Sequence, residues 1–152
     1  MLAPGDPIPT FELKNQDGDT VSATDLRGRT TILFAFPKAD TPGCTTQACG
    51  FRDEMPVIEA HGARVYGISP DRPKALKKWQ LKKKLPYDLL SDPDHSLLEA
   101  LGGWGEKSMY GRRYMGVIRS HWVFDEAGAL IDAQIKVSPK ESVAKATDLV
   151  AG

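Results

Sequence analysis

Cysteine is nearly absent: Cys44 and Cys49 are the only two in 152 residues, too few for a disulfide scaffold or a closed zinc site. Net charge is absent as well. With 20 Lys and Arg against 20 Asp and Glu, no overall field calls for nucleic acid or an acidic membrane surface as partner. No apolar run approaches the roughly 20 residues that span a bilayer. The opening Met1-Leu2-Ala3-Pro4-Gly5-Asp6 lacks the basic start and apolar stretch of a secretory signal, so the cytoplasm is the expected compartment. Gly102-Gly103 belongs to no G-x-x-x-x-G-K pattern, which removes a phosphate loop. His61, His95 and His121 lack the mutual spacing of a metal site or a triad, and no metal or other cofactor is expected. What remains is thiol chemistry on a small substrate. At 41% hydrophobic and 26% charged residues, without repeats or linkers, residues 1–152 read as a single domain.

Its elements alternate. Phe11 to Leu13 and Thr20 to Ser22 predict a short hairpin turning at Asn15 to Gly18, where Asp17-Gly18 supplies the turn chemistry. Thr30 to Phe36 is a β-branched and aromatic run that stops at Pro37, a central strand. From Pro42 to His61 the spacing of Phe51, Met55 and Ile58 is helical, and Pro56 either bends this helix or restarts it. Arg64 to Ser69 reads as a second strand, Asp71 as the cap of a helix over Pro73 to Lys83, and Tyr87 to Leu90 as a third strand. Asp92 or Asp94 caps a short helix ending at Leu101, and a loop holding Trp104 and Tyr110 follows. Ser120 to Phe124 and Leu130 to Ile135 flank a tight turn, and Ser138 opens a last helix. This order implies an α/β fold, a mixed central sheet with helices on both faces. The six lysines from Lys74 to Lys84 surround Leu76 and Trp79 and read as a solvated helix face.

The segment from Pro37 to Cys44 joins a central strand to a helix, where α/β sheets commonly bind ligands. In a helix's first turn the unpaired N–H groups favour a thiolate over a thiol. Position alone leaves two readings of Cys44: a reactive nucleophile, or a small buried hydrophobe.

The stretch FPKADTPGCTTQACGFRD, with P-x-x-x-T-x-x-C inside it, resembles the active site of a peroxiredoxin of the Q, or bacterioferritin comigratory, type. The likeness continues through PGDPIPTFEL, VYGIS, LLSDPDH and WGEKSMYGRRYMGVIRS. It implies a thioredoxin-like fold, thiol-dependent reduction of hydrogen peroxide or alkyl hydroperoxides, and a monomer. By the same resemblance Cys44 is the peroxidatic cysteine, Thr41 and Arg119 are its partners, and Pro37 shields the site.

Ionisation by itself does little for such a reaction. Lowering a cysteine's pKa from about 8.5 to about 6 gains roughly thirtyfold in thiolate at pH 7 but loses roughly 10- to 20-fold in nucleophilicity. The larger part must come from groups that hold both peroxide oxygens: Arg119, the Thr41 hydroxyl and the N–H groups of Gly43 and Cys44.

In an ideal helix Cys44 and Cys49 have Cα atoms about 8–9 Å apart, on faces about 140° different, whereas disulfides rarely span more than about 7 Å. If they pair, the first turns must unwind, and Gly50 lowers the cost of opening. Cys49 matches the resolving position of one group in the family. Either it resolves the Cys44 sulfenic acid, with thioredoxin or alternatively glutaredoxin as reductant, or it stays buried and an external thiol acts directly. Outside catalysis, the competing reading is a redox-sensing or holdase module switched by Cys44 and Cys49.

Overall fold

A computed structural model describes residues 2–152. Strands β1 (Glu12–Asn15) and β2 (Thr20–Ser22) form the first hairpin, and a short 3₁₀ turn, Ala23–Leu26, leads to β3 (Thr30–Ala35). Then come α1 (Pro42–Ala60), β4 (Ala63–Ser69), α2 (Pro73–Lys83), β5 (Asp88–Ser91) and α3 (Ser96–Leu101). The chain closes with β6 (Trp104–Met109), β7 (Arg112–Val117), β8 (Ser120–Phe124), β9 (Leu130–Ile135) and α4 (Pro139–Ala151).

Seven strands make one mixed sheet in the order β2-β1-β5-β4-β3-β8-β9. β3, β4 and β5 run parallel, while β8 lies antiparallel to β3 on its other side. Alternation along β3 divides the core. Ile32 and Phe34 face a cluster with α1, α2 and α4, through Phe51, Ile58, Leu76, Trp79 and Ala146. Leu33 and Ala35 face Leu97, Leu98 and Leu101 of α3 together with Trp122 and Phe124. Helices thus cover both faces, as the sequence predicts.

Two local expectations are altered and a third, the cap of α3, is resolved in favour of Asp92. α1 runs unbroken through Pro56, because its apolar side, Phe51, Met55 and Ile58, is docked on the sheet on either side of the missing N–H. Residues 104–117 are a β-hairpin rather than a loop. Its residues are largely exposed, so no apolar alternation announces it, and it turns on Tyr110-Gly111, both at positive φ. Finally, α3 starts after His95, whose ring stacks on Trp104 at 3.8 Å, with Asp92 capping from inside by accepting the Leu98 N–H at 2.9 Å.

Candidate active site

The parallel arrangement brings the C-terminal ends of β3 and β4 side by side, and the candidate site lies there. Pro37, half-buried, ends β3 because it has no N–H for the ladder. The following loop is tied to the end of β4: the Ala39 N–H donates to Asp71 Oδ2 at 2.7 Å, and the Ser69 hydroxyl donates to the same oxygen at 2.8 Å. Asp71 therefore does not cap α2 as expected. Arg72 stands at that N-cap, Pro73 opens the helix without needing an acceptor, and the Asp71 carboxylate is turned to the loop instead.

Thr41 is the N-cap of α1 by position, with extended backbone. Its hydroxyl does not cap; it donates to the Lys38 carbonyl at 2.7 Å, leaving its lone pairs for another donor. The first intrahelical bond runs from Thr45 N–H to the Thr41 carbonyl at 2.8 Å, so the N–H groups of Gly43 and Cys44 precede the ladder. Cys44 lies in this first turn, and Arg119, in the link between β7 and β8, directs Nη2 to its Sγ at 3.4 Å. A Cβ on Gly43 would stand 3.0 Å from the same Nη2, so the glycine makes room for the guanidinium.

The sulfur is more enclosed than its place at the helix start predicts, with Cys44 only 1% exposed. It packs in the same cluster as Phe36, Ala39 and Ala48, while the guanidinium lies against Sγ. A cleft of about 510 Å³ opens beside Arg119, lined also by Lys107, Ile118, Lys136, Val137 and Ser138.

Two neighbours escaped the sequence reading. Arg119 Nη1 donates to Gln47 Oε1 at 2.8 Å, and Gln47 is fully buried one helical turn beyond Cys44. That spacing was a usable signal. The Lys107 ammonium donates to the Val117 carbonyl at 2.8 Å; burial lowers its pKa, Arg119 lowers it further, and Cys44 acts in the opposite sense. Nothing in the sequence around Lys107 marks it.

Cys49 sits later on α1, partly exposed in a groove of about 470 Å³ between α1 and α4, and both thiols are free. The intervening segment is pinned: the Tyr87 hydroxyl donates to the Ala48 carbonyl at 2.6 Å. Burial, and then Cys49, raise that phenol's pKa well above its ordinary value. Gly50 has a role beyond flexibility, since a Cβ there would meet Val143 Cγ2 of α4 at 2.7 Å. Among the described residues no three His, Cys, Asp or Glu side chains gather as a metal site.

Residues 4–133 match the AhpC/TSA family model. The chain belongs to the AhpC/TSA family. A putative peroxiredoxin of Mycobacterium tuberculosis is 48% identical over 95% of this chain and 92% of its own length. Peroxiredoxin Bcp of Escherichia coli is 44% identical over 85% and 83%. Solved structures of Xanthomonas campestris peroxiredoxin Q, and of that organism's bacterioferritin comigratory protein described for alkyl peroxide reduction, superpose with TM-scores of 0.86. They are 27% and 26% identical and cover 92% of this chain and 89% of each of those. The chain is thus a peroxiredoxin similar to the Q and bacterioferritin comigratory proteins, with the thioredoxin-like fold that its motifs imply. Thiol peroxidase activity follows from that membership.

Proposed function

We propose that this peroxiredoxin reduces hydrogen peroxide and alkyl hydroperoxides with Cys44 as nucleophile, and that Cys49 resolves the product. The observation that carries the reading is the 3.4 Å approach of Arg119 Nη2 to Cys44 Sγ at the open start of α1. The Cys44 thiolate attacks one peroxide oxygen, the O–O bond breaks, and the other oxygen leaves as hydroxide or alkoxide and takes up a proton. Arg119, the N–H groups of Gly43 and Cys44, and the Thr41 hydroxyl hold the two oxygens while charge moves between them. Pro37 shields the sulfur from bulk water. Because Cys44 is enclosed, the guanidinium shares its place over the sulfur with the incoming peroxide, reached from the cleft beside Arg119.

The Cys44 sulfenic acid then condenses with the Cys49 thiol, forming a disulfide and releasing water. Both cysteines lie on α1, so the segment between them unwinds for this step. Thioredoxin restores the dithiol by exchange, with the protein acting as a monomer in the cytoplasm, a compartment that suits its two free thiols. Support for alkyl substrates comes from the Xanthomonas relative described for alkyl peroxide reduction.

Peroxide consumption with thioredoxin, its reductase and NADPH, compared with Cys44→Ser and Cys49→Ser, tests the cycle. Multiple turnovers that vanish in the first variant and stall after one equivalent in the second are expected. Slow, substoichiometric loss from the unaltered protein would instead favour the redox-sensing or holdase module. Mass spectrometry after one equivalent should find a bridged monomer; a persistent sulfenic acid on Cys44 would overturn the role of Cys49.

A further inference from the structure

The Arg119 guanidinium ends a buried chain of polar groups that reaches across three elements. A guanidinium only donates, so Gln47 must present Oε1 to Nη1, as it does at 2.8 Å. Its amide nitrogen is left to donate, and Nε2 does so to the Ser142 hydroxyl of α4 at 3.0 Å. The Ser142 hydroxyl also pairs with His121 Nδ1 on β8, 2.8 Å away, donating when the ring proton is on Nε2 and accepting when it is on Nδ1. Gln47, Ser142 and His121 are all fully buried. The guanidinium fixes the direction of the first two bonds, and burial lowers the His121 pKa to about 4, which keeps the ring neutral at pH 7. His121 Nε2 has no hydrogen-bond partner among the described residues, a cost tolerated in a core that could hold an apolar side chain instead.

We propose that Gln47, Ser142 and His121 are positioning residues that hold Arg119 over Cys44 and latch the segment between the two cysteines shut. The second half rests on the proposed function, in which Cys44 and Cys49 pair. Gln47 lies between them in sequence, so unwinding that segment pulls its amide away from Ser142 and from Arg119 together. The grip on the peroxide and the integrity of the first turns of α1 are therefore one hydrogen-bonded system. Removing the Ser142 hydroxyl frees the Gln47 amide to rotate, so the peroxide step slows and opening becomes easier. Loss of packing by itself loosens α1 without disturbing the guanidinium.

Single-turnover stopped-flow fluorescence separates these outcomes, following first the oxidation of Cys44 and then disulfide formation. Ser142→Ala should slow oxidation about 10-fold, the scale of a weakened charge-assisted hydrogen bond, and speed disulfide formation several-fold. Gln47→Met, of similar length, should do the same. Val143→Ala, the adjacent residue packed over Gly50, should speed disulfide formation and leave oxidation unchanged. Oxidation at the unaltered rate in Ser142→Ala and Gln47→Met would overturn the proposal, as would equal slowing in Val143→Ala. If the unaltered protein oxidises but forms no disulfide, the role of Cys49 fails while the oxidation arm still tests the positioning role.

Discussion

Arg119 lies so close over Gly43 that a methyl group there would stand 3.0 Å from Nη2. The obstructed atom is the far end of a flexible side chain, so the guanidinium yields rather than the backbone. Gly43→Ala should therefore leave thermal stability within about 1 kcal/mol, helped by helix propensity, while slowing Cys44 oxidation about 10-fold. Parallel melting curves and single-turnover rates check both halves; a large drop in melting temperature with normal oxidation would contradict it.

Arg119→Lys keeps the charge but loses the fork that serves Cys44 and Gln47 together. Peroxide oxidation should fall about 100-fold. Alkylation of Cys44 by iodoacetamide, which needs a thiolate but no gripping of oxygens, should change only about two- to threefold. Equal losses in the two reactions would mean that the arginine acts through charge alone.

Asp71 holds the site loop through the Ala39 N–H. Asp71→Ala strands that donor and the Ser69 hydroxyl, at a cost of about 2 kcal/mol. Amide exchange should accelerate at Ala39 and its neighbours while the α2 start, which Asp71 does not cap, keeps its protection. Exchange spread over α2 instead would restore the capping role.

His121 is buried as the neutral ring beside Ser142, with Asp132 raising and Lys145 lowering a pKa that desolvation brings down to about 4. Below about pH 6.5 the unfolded chain takes up a proton here that the folded chain refuses until about pH 4. This histidine's effect on stability is therefore absent above that window and becomes unfavourable as pH falls through it, by about 3 kcal/mol at the lower end. Urea titrations from pH 7 to about pH 4, compared with His121→Asn, whose amide can pair with Ser142 as donor or acceptor, should show a shallower decline in the variant.

Local chemistry explains what the sequence made legible. Thr30 to Ala35 carries its strand signal in β-branched and aromatic residues, and Pro37 and Pro42 punctuate the loop on either side of Thr41. The Cys44 region was readable from one contiguous motif, and Arg119 from the resemblance. The Gln47 contact with Ser142 joins residues 95 apart, and no local pattern encodes it. Asp71 looked like a cap because capping is the commonest task of an aspartate before a helix; the tie to Ala39 exists only once β3 and β4 pair. The enclosure of Cys44 likewise depends on α1 docking against the sheet.

The ribbon made by β6 and β7 forms its own two-stranded sheet, and Tyr110 at its tip is 99% exposed. A short peptide tag inserted between Tyr110 and Gly111 would extend into solvent at the end of that ribbon, giving experimenters a place to tether the protein to a support while its chemistry continues undisturbed.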